Sequence, residues 1–213
     1  MSLTGLCLIL FLTFHMSMNV VALFSGDAYN MICGLLGANW YAVVATMGLA
    51  ALAVIHILYA FILTMQNRRA RGNDGYEISV KPSKVEWASQ NMLVLGLIVV
   101  LGLGMHLWNF WAKMMLVDLA GCECPELEQH SVDGAYWIQQ TFSCAAYVAC
   151  YLVWIAALWF HLTHGFWSAM QTLGLNGKKW FCRWKVIGIL YATALCGGFA
   201  LVVVWFFIKS LLY

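Results

Sequence analysis

The 213-residue sequence has few charged residues and only two prolines. Asp, Glu, Lys and Arg make up 9% of it, whereas about 25% is usual in a soluble globular domain. The low proline content argues against disordered linkers, and no repeat of fixed length is evident. The formal net charge of +2 is too small and too scattered for a nucleic-acid surface, so we expect no nucleic-acid partner.

Hydrophobic residues, in contrast, make up 63% of the sequence. A helix needs about 20 mostly apolar residues to cross about 30 Å of hydrocarbon. Five stretches meet this requirement, namely residues 3–24, 38–65, 91–117, 137–170 and 186–208. We therefore predict an all-α integral membrane protein with five spans in a single domain, residues 1–213. The longer second, third and fourth stretches should tilt or extend beyond the lipid.

The first apolar stretch lacks the features of a cleaved signal peptide. No basic segment precedes it and no clear small-residue cleavage site follows it, so we expect a retained helix. The eight cysteines do not indicate a disulfide scaffold, because half of them lie in the apolar stretches, where thiols serve packing. Cys122 and Cys124 form a C-x-C pair in a loop, and one of them could pair or bind a metal.

The charged residues are distributed unevenly among the loops. Nine of the eleven basic residues follow the second or the fourth span: Arg68, Arg69, Arg71, Lys81, Lys84, Lys178, Lys179, Arg183 and Lys185. The other two loops contain the acidic residues Asp27, Asp118, Glu123, Glu126, Glu128 and Asp133. By the positive-inside rule, we predict that the basic loops and the N-terminus are cytoplasmic and that the C-terminus is outside.

Five of the six histidines lie within the predicted spans: His15, His56, His106, His161 and His164. An ionisable side chain at membrane depth is costly and by default marks function, although a single histidine can also form an interhelical hydrogen bond. The sixth, His130, lies in a loop, where we expect a solvated or acid-paired side chain.

The depths of these histidines suggest two pairs. At about 1.5 Å of rise per residue, His56 and His161 lie about 15 Å from the cytoplasmic ends of their spans, and His15 and His106 about 18 to 23 Å. If the first four spans form an up-down bundle, both pairs are diagonal. Two facing imidazoles are the axial ligands of a six-coordinate b-type haem. We therefore predict two haem b groups, and we expect the second ring nitrogen of each ligand to donate to a backbone carbonyl.

Small residues near these histidines would leave room for a flat macrocycle; they are Gly102, Gly104, Ala53, Ala60, Ala157 and Gly165. Zinc is disfavoured, because the pairs lie at different depths without a Cys or carboxylate beside them. His161 and His164 are three residues apart and can face the same side of a helix. His164 is therefore an alternative ligand, or a contact to a haem propionate or a quinone.

Two segments resemble those of a known family, the diheme cytochrome b subunits of succinate:quinone oxidoreductases and fumarate reductases. Ser2-Leu3-Thr4-Gly5, with His15 ten residues after the glycine, is similar to the Ser-x-Thr-Gly start of the family's first helix. His161-Leu162-Thr163-His164-Gly165-Phe166-Trp167 resembles the family's fourth-helix segment, His-x-x-polar-Gly-aromatic. The resemblance covers all five spans and all four ligand positions.

The resemblance implies an outer (distal) haem b held by His15 and His106, and an inner (proximal) haem b held by His56 and His161. It implies a bacterial cytoplasmic (inner) membrane anchor that exchanges electrons with a quinone, expected to be menaquinone. A flavoprotein subunit and an iron-sulfur subunit would dock on the cytoplasmic face, for which the basic loops are candidate surfaces, with lipid headgroup contacts and topology as competing roles. The succinate or fumarate site would be on another subunit, leaving no catalytic residue here.

Two departures from the family pattern are visible. Family members usually have a further segment before Ser-x-Thr-Gly, which makes the assigned start of this sequence short by comparison. Some also have a Glu two residues before the fourth-helix ligand, where this sequence has Trp159. We therefore do not expect a transmembrane carboxylate proton route.

Alternative functions remain open at this point. One is another diheme membrane cytochrome b, of the hydrogenase, formate dehydrogenase or b561 type. Another is a haem-free transporter or structural anchor whose histidines relay protons. Polar residues near the span ends could bind a quinone, with ordinary helix-end polarity as the competing explanation; they are Asn19, Asn39, Asn109, Lys113, Gln90 and Gln171.

Overall fold

A computed structural model describes residues 1–37, 39–71, 87–116, 121, 127 and 129–212. The regular elements of these residues are all helices. They are α1 (Ser2–Val21), α2 (Gly26–Gly37), α3 (Trp40–Arg71), α4 (Trp87–Gln90), α5 (Met92–His106), a π-helical segment (Leu107–Leu116), α6 (Gly134–Phe142), α7 (Ala145–Thr172) and α8 (Lys178–Leu212). Cys122 and Cys124, like most of the acidic residues around them, lie outside the described residues.

Five of these helices are long and apolar enough to cross a membrane: α1, α3, α5 together with the π-helical segment, α7 and α8. For the described residues, this confirms the prediction of an all-α protein with five helices that could span a membrane. The fifth helix is longer than its apolar stretch, because it begins at Lys178 and includes the basic residues before Val186. Helical structure therefore extends beyond the apolar part of this span.

The predicted start of the fourth span, at residue 137, is wrong. Trp137 belongs to α6, which ends at Phe142, and the spanning helix α7 begins only at Ala145. Between them, Cys144 adopts an extended backbone conformation, with φ −92° and ψ 114°. No Gly or Pro marks this break, but Gln139, Gln140, Thr141 and Ser143 are polar residues within the predicted span, and they lie directly before it.

The two short helices α2 and α6 contact each other and form a polar cap that hydropathy did not predict. The Asn30 amide donates to Asp133 Oδ1 at 2.8 Å and its oxygen accepts the Ala135 N–H at 2.9 Å. Asp133 also accepts the Tyr136 N–H and lies 3.4 Å from His130 Nδ1, so the prediction of an acid-paired His130 is confirmed. Burial alone would raise the pKa of Asp133, but these hydrogen bonds outweigh it and lower the pKa.

Contacts between the helices show their relative directions. Trp154 of α7 donates to the Val99 carbonyl of α5 at 3.0 Å, and Trp159 donates to Thr193 of α8 at 2.9 Å. Tyr191 of α8 contacts the Ile9 carbonyl of α1 at 3.3 Å. Together with the approach of Gly96 to His161, of Gly188 to Phe166 and of Gly198 to Met16, these contacts make α7 antiparallel to α5 and α8, and α8 parallel to α1. Meanwhile α3 packs mainly against α1.

The best-packed part of the core lies where α7, α8 and α1 meet. Ala192 and Leu195 of α8 are 0% and 1% exposed, and Cys196 and Val203 are also buried. The fifth span therefore belongs to the packed core, although the sequence placed it outside the bundle of the first four. Arg68, Arg69 and the start of α8 define what we call the basic end of the molecule, and the α2–α6 cap defines the acidic end.

Candidate functional site

The structure brings His15 and His106 together in the acidic half of the bundle. His15 lies on α1 and His106 is the last residue of α5. Their ring centres are 5.7 Å apart and the ring planes meet at 83°. The first and third spans thus present one imidazole each to the same place, as the depth argument predicted.

Aromatic rings surround this pair. Phe11 stacks on His15 with ring centres 5.4 Å apart and an angle of 15°, and Phe199 of α8 lies 5.8 Å from the same imidazole. Phe110 and Trp154 lie 5.1 and 5.7 Å from the His106 ring. Such rings form an apolar wall that orients the imidazoles and limits the access of water.

Gly102 does not leave room for a macrocycle beside His106. A Cβ atom on Gly102 would lie 2.0 Å from Cδ1 of Trp154, so the glycine is required for the close contact of α5 with α7. A Cβ on Gly104, in contrast, would meet no heavy atom within 4 Å, and the same holds for Gly165. Three glycines were proposed to leave room for a flat macrocycle. Gly104 and Gly165 border open space, and Gly102 does not.

Three of the polar residues considered for quinone binding, Asn19, Asn39 and Asn109, have hydrogen-bond partners within the chain, and the Asn39 amide donates to the Leu35 carbonyl at 2.8 Å. Asn19 donates to the His15 carbonyl at 2.8 Å and accepts from the Tyr29 hydroxyl at 3.1 Å. Its amide nitrogen also lies 3.4 Å from Nε2 of His15. Asn109 is 1% exposed, and its amide donates to the Tyr151 hydroxyl at 3.4 Å. These contacts link the surroundings of the His15–His106 pair to α2 and α7.

A change of helix type follows directly after His106. The backbone is α-helical up to that residue and π-helical over Leu107–Leu116. Segments with i→i+5 hydrogen bonds are rare and occur frequently at functional sites. The sequence contains no Pro or Gly in this segment that would have indicated the change.

His56 and His161 lie in a second layer, in the basic half of the bundle. His56 Nδ1 is 3.0 Å from the Thr4 hydroxyl of α1, and a Cβ on Gly5 would lie 3.4 Å from His56 Cε1. A Cβ on Gly96 of α5 would lie 3.9 Å from His161 Cε1. His161 is also close enough to His56 to interact with it electrostatically. Four spans therefore contribute to this layer.

His164 lies one turn closer to the basic end than His161. Its ring centre is 4.9 Å from that of Trp167, and Lys185 Nζ lies 4.8 Å from the same Trp167 ring. Its ring also interacts electrostatically with that of His161. His164 thus occupies the space between the His56–His161 layer and the basic surface.

Among the described residues, neither His15 nor His161 has the expected backbone carbonyl partner. His56 Nδ1 pairs with the Thr4 hydroxyl, and the Met1 carbonyl also lies close to this imidazole, since the start of α1 passes beside α3 at this height. Within the described part of the chain, His161 Nδ1 is buried without a hydrogen-bond partner. In a helix the local carbonyls are already used by backbone N–H groups, so a partner must come from a neighbouring helix.

No protein-family model, curated protein or solved structure matches the chain.

The two histidine layers are about 15 Å apart along the bundle. Eleven residues of α1 separate Thr4, beside His56, from His15, which corresponds to about 16 Å of helix. On α5, ten residues separate Gly96, beside His161, from His106, or about 15 Å. Two independent helices thus give the same spacing, and the two pairs are stacked between the basic and the acidic end.

The arrangement of His15 and His106 fits a pair of ligands to one metal ion better than a metal site built of three or more side chains. Among the described residues, no three His, Cys, Asp or Glu side chains converge on one point. Two imidazoles, each about 2 Å from a shared metal ion, have ring centres about 6 Å apart, close to the 5.7 Å of His15 and His106. A buried ring nitrogen without a protein partner, as in His161, is typical of a group that contacts a ligand.

Proposed function

We propose that this chain is a diheme membrane cytochrome b that carries electrons between the two faces of a bilayer. The observation that carries this proposal is the meeting of His15 and His106, with ring centres 5.7 Å apart, between two membrane-spanning helices. Ionisable residues from separate spans rarely meet inside a membrane protein without a functional reason.

The residues of the two layers have distinct roles in this proposal. His15 and His106 would hold one haem b, and His56 and His161 the other. When bound, each haem would supply one-electron redox chemistry at a potential set by its two imidazoles and its surroundings. Phe11, Phe199 and Phe110 exclude water from the first pair, and Thr4 fixes the ring of His56.

We further propose that the chain is the membrane anchor of a succinate:quinone oxidoreductase or fumarate reductase, in a bacterial inner membrane. The support for this step is the resemblance of residues 2–5 and 161–167 to that family, with the four histidines in the family's order. A flavoprotein and an iron-sulfur subunit would dock at the basic end, where Lys178, Lys179 and Arg183 are exposed. Menaquinone would be the electron partner in the membrane.

The first test is a reduced-minus-oxidised spectrum with haem quantitation on the purified full-length chain. We expect about two low-spin haem b groups per chain, and a preparation without a Soret band would refute the proposal. His130→Ala is a matched control, because His130 lies in the cap and should leave both haems in place.

Double variants test the pairing itself. The combination of His15→Ala with His106→Ala should remove one haem, as each single variant does. The combination of His15→Ala with His161→Ala should remove both. The reverse pattern would show that the ligands are paired differently from the geometry described above.

Succinate-dependent haem reduction separates the proposed complex from other diheme cytochromes. In membranes from the native host, the haems of the assembled complex should be reduced by succinate or reoxidised by fumarate. Reduction by hydrogen or formate, with no response to succinate or fumarate, would instead assign the chain to a hydrogenase or formate dehydrogenase type.

A further inference from the structure

The Thr4 hydroxyl makes two contacts that together restrict the protonation of His56. Its oxygen donates to the Met1 carbonyl at 2.8 Å and lies 3.0 Å from His56 Nδ1. A hydroxyl group has a single proton to donate. Because the carbonyl of Met1 takes this proton, the oxygen can only accept from His56. The Nδ1 atom of His56 must then carry the ring proton, and Nε2 is left with a free lone pair.

We propose that Thr4 is a positioning residue that holds His56 in the Nδ1–H tautomer and so presents Nε2 to the haem iron of the basic-end layer. This inference rests on the proposed haem-binding function. A bond from a threonine hydroxyl to a carbonyl three or four residues earlier is common in helices, and it explains the contact with Met1 alone. It does not explain why the same oxygen meets an imidazole on another span.

Neighbouring contacts hold the ring in this orientation. A Cβ on Gly5 would lie 3.4 Å from His56 Cε1, so the backbone of α1 runs close beside the imidazole edge. Thr4 and Gly5 thus fix the ring from the same helix, one by a hydrogen bond and one by close approach. Fixing the tautomer and orientation of a metal-binding histidine in this way raises its basicity as a ligand.

The two proposed ligands of this layer are therefore unequal. His56 has a hydroxyl acceptor that is itself polarised by its bond to a carbonyl, and such chains strengthen each member. His161 Nδ1 has no such partner among the described residues. Thr4 should thus make His56 the stronger electron donor of the pair and lower the midpoint potential of this haem relative to one without the hydrogen bond.

Three variants test this role in the full chain. Thr4→Val removes the hydroxyl and keeps the shape, Thr4→Ser keeps the hydroxyl, and Thr64→Val is the control. Thr64 makes the same kind of helix bond, to the Ala60 carbonyl at 2.8 Å. In a potentiometric titration, Thr4→Val should raise the midpoint potential of one haem or weaken its retention by about 10-fold to 100-fold. That haem should be the one lost in His56→Ala, while Thr4→Ser and Thr64→Val behave like the wild type.

A second measurement does not depend on the haem or on the folding of Thr4→Val. Nitrogen-15 NMR of the histidine-labelled wild-type chain without haem, with His56 assigned by the loss of its signal in His56→Gln, should show the proton on Nδ1. A proton on Nε2 would overturn the role of Thr4. Wild-type potentials and haem retention in Thr4→Val would overturn it as well, while leaving the proposed function intact. A wild-type chain without haem would refute the proposed function and, with it, the ligand role of His56.

Discussion

The substitution Gly102→Ala should destabilise the chain far more than Gly104→Ala, two residues along the same helix. A Cβ atom on Gly102 would lie 2.0 Å from Cδ1, 2.2 Å from Cγ and 2.3 Å from Nε1 of Trp154. These are atoms at the base of a rigid indole, which cannot move aside as the end of a flexible side chain can. A Cβ on Gly104 meets nothing within 4 Å.

The expected loss of stability follows from the displacement of Trp154 that a Cβ atom on Gly102 would require. Overpacking of a close contact costs about 1–3 kcal/mol, and displacement of Trp154 also breaks its 3.0 Å hydrogen bond to the Val99 carbonyl, worth about 1 kcal/mol. The gain in helix propensity from Gly to Ala is the same at both sites and cancels in the comparison. Gly102→Ala should therefore be about 2–4 kcal/mol less stable than Gly104→Ala.

The assay is SDS titration of the purified variants from mixed micelles, followed by circular dichroism. In a Trp154→Ala background the indole is absent, so the difference between the two alanine variants should largely disappear. Equal stability of Gly102→Ala and Gly104→Ala in the otherwise wild-type chain would refute the close α5–α7 contact and the role assigned to Gly102.

Two further predictions concern the cap and the topology. Asp133→Asn should cost of the order of 1–2 kcal/mol at neutral pH, since it weakens the N-cap of α6 and the contact with Asn30. Because the folded-state pKa of Asp133 is lowered from about 3.8, its stabilisation is present above pH 4 and is lost as the pH falls through the folded value. The stability gap between wild type and Asp133→Asn should therefore narrow below about pH 4 in SDS titrations, and a gap independent of pH would contradict this account. For the topology, a membrane-impermeant maleimide applied outside intact cells should label a single-cysteine variant that retains Cys144, at the acidic end. A variant that retains only Cys182, at the basic end, should be labelled only after the cells are permeabilised. Both thiols are exposed, and the reverse labelling would invert the proposed orientation.

The sequence was sufficient to predict the five spans and the meeting of His15 with His106. Both depend on quantities that a single helix determines, namely the length of an apolar stretch and the rise per residue. The histidine pairing also needed only the alternating direction of consecutive spans. The meeting of His15 and His106 shows that the depth of a residue can indicate its contacts in a membrane bundle. This is because all the helices must cross the same layer of hydrocarbon.

Contacts between distant segments could not be predicted in the same way. The cap depends on Asn30 bonding to Asp133 and Ala135, more than a hundred residues away, and neither segment stands out in hydropathy. The central place of α8 was missed because this helix is apolar on all sides, so periodicity does not reveal which face is buried. Gly102 was misassigned for a related reason, since a glycine that admits a cofactor and one that admits an indole look identical in a sequence.

Because of the π-helical segment, the side-chain direction of His106 and the side-chain directions of the residues after it follow different helical repeats. The direction of the His106 side chain is set by the regular turns of α5, whereas the direction of Asn109 and Lys113 is set by the wider turns that follow. Because a π-helical turn holds about one more residue than an α-helical turn, deleting one residue from the segment would let it relax towards α-helical geometry with little change in the direction of the residues beyond it. The first half of this span can thus keep its imidazole in register with His15 while the second half evolves its contacts to Tyr151 and Trp137 independently.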